Sequence, residues 1–117
     1  MYSFEFESPT TVADAVAALG KEEAQALAGG QTLIPSLKAR LAAPSVLVSL
    51  AKIDEIKGVS IDRDTVTIGG GTTHATVAAE MAEAYPALSY LAINIGDPAV
   101  RNRGTIGGSL ANNDPSA

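Results

Sequence analysis

The sequence predicts an α/β (α+β) fold of two small subdomains, and three observations carry that prediction. Residues 2 to 50 run strand, helix, strand, helix, strand, an order that demands a parallel sheet. Near residues 57 and 58 the pattern changes to two period-2 runs facing each other across a short turn. After the triple glycine 69–71, helical spacing returns as far as residue 95. The expected division is therefore 1–57, a βαβαβ unit, and 58–117, the first part of a second α/β unit, incomplete at Ala117.

Tyr2, Phe4 and Phe6 alternate with Ser3, Glu5 and Glu7, which reads as a half-buried first strand ended by Pro9. Thr11 with Asp14 three residues on resembles a capping box, and Val12, Val16 and Leu19 then form the apolar face of a helix stopped by Gly20. Residues 24 to 28 form the second strand. A Gly29-Gly30 turn leads into a short helix from about Leu33 to Leu41, with Pro44 just beyond it. Residues 45–50, Ser-Val-Leu-Val-Ser-Leu, are apolar at nearly every position, as in a strand buried on both faces.

In the second part, Val59 and Ile61 alternate with Ser60 and Asp62, and Val66 and Ile68 with Thr65 and Thr67. This is an antiparallel hairpin, although Arg63-Asp64 is not a favoured two-residue turn. A helix capped by Thr72 or Thr73 follows, with Val77 and Met81 on one face. Pro86 starts another, with Leu88, Leu91 and Ile95 as its stripe. Asp97 before Pro98 reads as a helix cap. The stretch from Gly96 to Pro115 is rich in turn formers and small polar groups, which suits a binding loop better than a chain end. The hairpin has too few strand partners for a stable sheet, so the chain is expected to continue past Ala117.

At 117 residues the chain is large enough for one ordinary core, with 46% apolar and 18% charged residues. A net charge of −5 disfavours nucleic acid and anionic membranes as partners. The absence of cysteine excludes disulfides, thiolate metal sites and iron–sulfur ligation by this chain, and a single histidine, His74, excludes a histidine-based metal site. No apolar run reaches the roughly 20 residues of a membrane span. Met1 to Glu5 has no basic region or apolar core, so it does not read as a secretory signal, and the missing signals favour a cytoplasmic protein.

Two glycine pairs stand in like settings: Ala28-Gly29-Gly30-Gln31-Thr32 and Thr105-Ile106-Gly107-Gly108-Ser109. Glycines at a strand-to-helix turn leave backbone N–H groups pointing outward with no Cβ in the way, and a hydroxyl follows each pair to bond a phosphate oxygen. Two such loops on one diphosphate supply several donors without a fixed cation. Neither is the G-x-G-x-x-G of a dinucleotide fold, and no P-loop is present. A first-turn role suits His74 better than a catalytic one. Arg101 and Arg103 flank the second loop, solvated by default, with a phosphate or a partner's carboxylate as the alternative. No acid/base pair or nucleophile set supports a self-contained mechanism.

At these loops the sequence resembles the flavoprotein subunit of the molybdenum hydroxylases. Leu27 to Ile34, Leu-Ala-Gly-Gly-Gln-Thr-Leu-Ile, resembles the family's first FAD-binding loop, and Gly104 to Ser109 its second. Asp97-Pro98 leading to Arg101, and the trailing Ala-Asn-Asn-Asp-Pro, also match. Within the family the chain is most like the medium subunit of the carbon monoxide dehydrogenase type, and more distantly the flavin domain of xanthine dehydrogenase.

The resemblance implies two α/β subdomains holding FAD, and electrons that pass from a molybdenum centre through iron–sulfur clusters to that FAD and on to an external acceptor. It implies as partners a molybdopterin-binding large subunit and a [2Fe-2S] small subunit in a hetero-oligomer. Leu27, Ala28, Gly29, Gly30, Gln31, Thr32, Leu33 and Ile34, with Thr105, Ile106, Gly107, Gly108 and Ser109, would contact the FAD, chiefly its pyrophosphate. Ile95 would lie against the flavin. The family's acidic FAD contact would fall just past Ala117, so the sequence reads as an amino-terminal part. A free-standing flavin oxidase or reductase, or a non-catalytic α/β module with structural glycines, stays open as an alternative.

Overall fold

A computed structural model describes residues 2–114. Pro115 of the trailing motif, and the end at Ala117, lie outside the described residues. The chain divides into two compact units, one reaching to Glu55 and one starting at Ile56.

The first unit contains β1 (Glu5–Glu7), α1 (Val12–Leu19), β2 (Ala24–Leu27), α2 (Leu33–Lys38) and β3 (Val46–Ser49). The sheet is parallel with order β1-β3-β2, pairing Glu5 and Ala24 with Val46 from either side. The central strand β3 is buried at all four positions, as its unbroken apolar run requires. Leu37, Ile53, Ala15 and Ala18 complete this core. Thr11 caps α1 by accepting from the Asp14 N–H at 3.1 Å, and the Glu55 carboxylate accepts from Val12 N–H.

Three expectations for this unit are corrected. The first strand is only three residues long, and Phe6 is 58% exposed while Glu7 is half-buried and bonded to Lys21 Nζ at 2.6 Å. Neither face of this edge strand is evenly covered: Phe4 and Glu7 are half-buried, and Glu5 and Phe6 are exposed. Helix α1 buries Ala15 and Ala18 and half-buries Leu19, while Val12 and Val16 are exposed, Val16 at 64%. The buried arc lies roughly a quarter turn from the larger side chains, since alanines let the helix axis approach the sheet closely. Helix α2 stops at Lys38 and does not reach Leu41. Arg40 takes φ +58°, Leu41 N–H bonds Ser36 O at 2.9 Å and Arg40 N–H bonds Leu37 O at 3.1 Å, a Schellman closure with arginine where glycine is usual.

The second unit contains the antiparallel hairpin β4 (Val59–Asp62) and β5 (Thr65–Ile68), then α3 (His74–Glu80), α4 (Pro86–Ile93), α5 (Pro98–Arg103) and α6 (Ile106–Asn112). The hairpin register is Val59 opposite Ile68 through Asp62 opposite Thr65, and Arg63 at the turn takes φ +53°. Val77, Met81 and Ala92 form the core, flanked by Val59, Ile68, Ala78 and Leu88. Ser89 Oγ donates to Ala78 O at 2.6 Å and ties α4 to α3. Ala92 replaces Leu91 and Ile95 on the buried face of α4; Leu91 is 59% exposed, and the helix ends at Ile93 with Asn94 as its C-cap, before Ile95.

The carboxyl-terminal stretch is mostly helical, not loop. Asp97 caps α5 by accepting from Val100 N–H, and Thr105 caps α6 by accepting from Gly108 N–H. Asn113 at φ +54° closes α6. Among the described residues no helix is long and apolar enough to cross a membrane.

Candidate functional site

The first glycine segment leaves the end of β2 at Leu27, turns through Ala28-Gly29-Gly30 and enters α2 at Leu33. Gly30 sits at φ +76°, the left-handed region that glycine occupies without steric cost. A Cβ there would stand 2.6 Å from Ile34 Cδ1. Gly30 O accepts from Ile34 N–H at 3.0 Å, and Gln31 Nε2 donates to Gly29 O at 3.2 Å. Among the described residues, the N–H groups of Gly29, Gly30, Gln31 and Thr32 have no acceptor, and the Thr32 side chain makes no capping bond. Gln31 and Thr32 are exposed, and no acidic residue occurs between Ala24 and Ser36. A run of unbonded donors with two glycines and no negative charge has the donor chemistry that a diphosphate accepts from.

The second glycine segment is built differently, which corrects the expectation of two like loops. An antiparallel bridge pairs Thr105 with Thr73. His74 N–H bonds Gly104 O, Ile106 N–H bonds Thr72 O, and Gly107 N–H bonds Gly70 O at 2.9 Å. Gly108 N–H goes to Thr105 Oγ1 and Ser109 N–H to Thr105 O. The donors of Ile106 to Ser109 are thus used inside the unit. The segment's remaining donor is the Ser109 hydroxyl, on an exposed residue.

That hydroxyl lies 3.0 Å from His74 Nε2. His74 opens α3, as a first-turn residue should, but its ring is 4% exposed and is received by Gly104, where a Cβ would stand 3.2 Å from Cδ2. Sequence reasoning missed this pairing because the partners are 35 residues apart and no helical spacing links them. Arg101 is tied to the chain before α5: Nη1 donates to Gly96 O at 2.9 Å and Ile95 O at 3.3 Å. Ile95 is half-buried and Arg103 is exposed.

Burial holds the His74 pKa below its ordinary 6.5. Above 6.5 the folded and unfolded chains both carry a neutral ring. Below it the unfolded chain takes up a proton that the folded chain resists until its own lower pKa is reached. The stability is therefore full above 6.5 and falls as pH drops from there towards the folded value. Urea midpoints measured between about pH 7.5 and 5.5 are expected to fall more in the native chain than in His74→Gln. Parallel curves would remove His74 as the cause.

The family of FAD-binding domains in molybdopterin dehydrogenases matches residues 2–117. The chain belongs to this family. FAD is the cofactor of that family. The medium chain of carbon monoxide dehydrogenase from Afipia carboxidovorans is 44% identical over 97% of this chain and 41% of its own length. Subunit alpha of the 6-hydroxypseudooxynicotine dehydrogenase complex of Paenarthrobacter nicotinovorans is 38% identical over 98% of this chain and 40% of its own. Among solved structures, the Cu,Mo-CO dehydrogenase superposes with a TM-score of 0.92 at 42% identity, covering 97% of this chain and 41% of that one. Quinoline 2-oxidoreductase from Pseudomonas putida 86 gives 0.94 at 34% identity over 99% and 42%. The chain therefore spans about two fifths of the length of these relatives, and its α/β fold is that of their FAD-binding domains.

Proposed function

We propose that this chain belongs to the electron-transfer subunit of a molybdenum-containing hydroxylase or dehydrogenase of the carbon monoxide dehydrogenase type. In this reading it holds FAD, receives electrons from iron–sulfur clusters and passes them to an external acceptor. Its partners are a molybdopterin-binding large subunit and a [2Fe-2S] small subunit, in the cytoplasm. The flavin, when bound, supplies the redox chemistry, and the protein binds and orients it. The observation that carries the reading is the Gly29 to Thr32 turn, whose N–H groups lack acceptors in a chain of an FAD-binding family.

Within the chain, Leu27 to Ile34 receive the diphosphate through N–H groups and the Thr32 hydroxyl, and Thr105 to Ser109 contact the cofactor through the Ser109 hydroxyl. Ile95 lies against the flavin. Titrating the apoprotein with FAD is expected to quench flavin fluorescence to a defined end point, with one FAD per chain. The intact flavoprotein is expected to stay oxidised with substrate until the molybdenum and iron–sulfur partners are added. A chain that ignores FAD would overturn the reading. Flavin reduction by substrate without partners would replace it with a free-standing oxidoreductase.

A further inference from the structure

We propose that His74 is a positioning residue for the cofactor: its Nε2–H donates to Ser109 Oγ and aims the Ser109 O–H at a phosphate oxygen of FAD. The inference rests on the FAD reading above and adds to it a residue that touches Ser109, not the cofactor.

The local build supports a made contact, not a chance one. An exposed serine hydroxyl ordinarily samples several rotamers and bonds water. Here it meets a ring that is 4% exposed, at 3.0 Å. The ring is held from both sides of the chain. Thr73 caps α3 by accepting from Thr76 N–H, and the bridge of Thr73 with Thr105 sets the starts of α3 and α6 side by side. Gly104, lacking a Cβ, leaves room for the imidazole edge. No carboxylate hydrogen-bonds the ring among the described residues, so nothing there makes it a general base.

The direction of the bond follows from what each group can give. Burial keeps the imidazole neutral, with one N–H and one lone pair. Phosphate oxygens only accept. A hydroxyl that serves them must donate outward and accept from behind, so Nε2 carries the ring proton and Nδ1 is bare. The N–H groups of Ile106 to Ser109 are already bonded, which leaves the Ser109 O–H as the exposed donor of the segment. A donor that is itself accepting a hydrogen bond is polarised and gives a stronger one.

His74 is the chain's one histidine, so its ring nitrogens are read by ¹⁵N NMR without assignment. In the FAD-loaded chain, Nε2 is expected to be protonated and Nδ1 bare, and FAD is expected to move both signals in the native chain but not in Ser109→Ala. By fluorescence titration, Ser109→Ala and His74→Leu are each expected to raise the FAD dissociation constant about tenfold. The double variant should be no weaker than either single one. His74→Gln, whose amide N–H reaches a similar place, should recover to within about threefold of native. An Nδ1–H tautomer, additive losses in the double variant, or folded Gln and Leu variants that bind equally poorly would each overturn the proposal. If His74→Leu fails to fold, the tautomer and His74→Gln decide it. Loss of FAD binding in Gly30→Val with none in His74→Leu sinks this inference alone; a native chain that does not bind FAD sinks the functional reading with it.

Discussion

Replacing Gly30 with valine is expected to raise the FAD dissociation constant by more than ~100-fold, the loss of several hydrogen bonds to a charged group. Two independent effects act at this position. At φ +76° a β-branched residue is a steric outlier. Its Cβ would also lie 2.6 Å from Ile34 Cδ1 and 3.1 Å from Cγ1, so the Ile34 side chain must turn away. Relief of the backbone strain needs a change in φ, which reorients the peptide groups on either side of residue 30. The variant should also lose about 2 kcal/mol of stability. Gly58→Ala separates strain from site: Gly58 has φ +107° with open space around its missing Cβ. That variant should lower the urea midpoint yet leave FAD affinity within about twofold of native. Equal FAD losses in both would mean that Gly30 acts through stability alone.

The parts of this fold legible in the sequence are those where one residue type has one physical use. Val46 to Val48 are apolar in succession because both faces of β3 are covered, and they become the buried centre. Val59, Ile61, Val66 and Ile68 alternate, and the hairpin register follows. Thr11, Thr73 and Asp97 sit three residues before the N–H groups they accept, so helix starts are readable.

The parts that escape such reading depend on residues whose effect comes from the surroundings. Ala15, Ala18 and Ala92 face the cores because they are small, and no hydrophobicity pattern separates them from exposed alanines. Arg40 ends α2 from a left-handed conformation that sequence assigns to glycine or asparagine. Gly107 and Gly108 read as loop by propensity, yet they open a helix in which Thr105 Oγ1 accepts from Gly108 N–H while Gly70 O accepts from Gly107 N–H. In the candidate site, the Gly29-Gly30 turn is readable from local chemistry. The Ser109 partner is not, since a contact between α3 and α6 belongs to the tertiary structure.

Gly107 and Gly108 are adjacent in one helix, yet alanine should destabilise the chain at the first and be nearly neutral at the second. Alanine gains at most about 0.5–1 kcal/mol over glycine in a helix, less in the first turn where both residues lie, so propensity alone favours both changes. At Gly107 the new Cβ would stand 2.5 Å from Gly70 O and 3.0 Å from Gly70 C, both backbone atoms of the segment that Gly107 N–H already bonds. Neither side can swing away as a side chain would, so the pairing of 69–71 with 105–108 must open. Overpacking of that kind outweighs the propensity gain, and a net loss of about 2 kcal/mol is expected in urea unfolding. At Gly108 the nearest atom is Thr105 Oγ1 at 3.0 Å, the end of a rotatable side chain. It can yield a few tenths of an ångström at the expense of part of a cap worth about 1 kcal/mol, so Gly108→Ala should stay within about 0.5 kcal/mol of native. If Gly107→Ala instead keeps its stability and loses only FAD, the missing Cβ serves the approach of the cofactor, and Gly70 must have more room to move than its hydrogen bond implies.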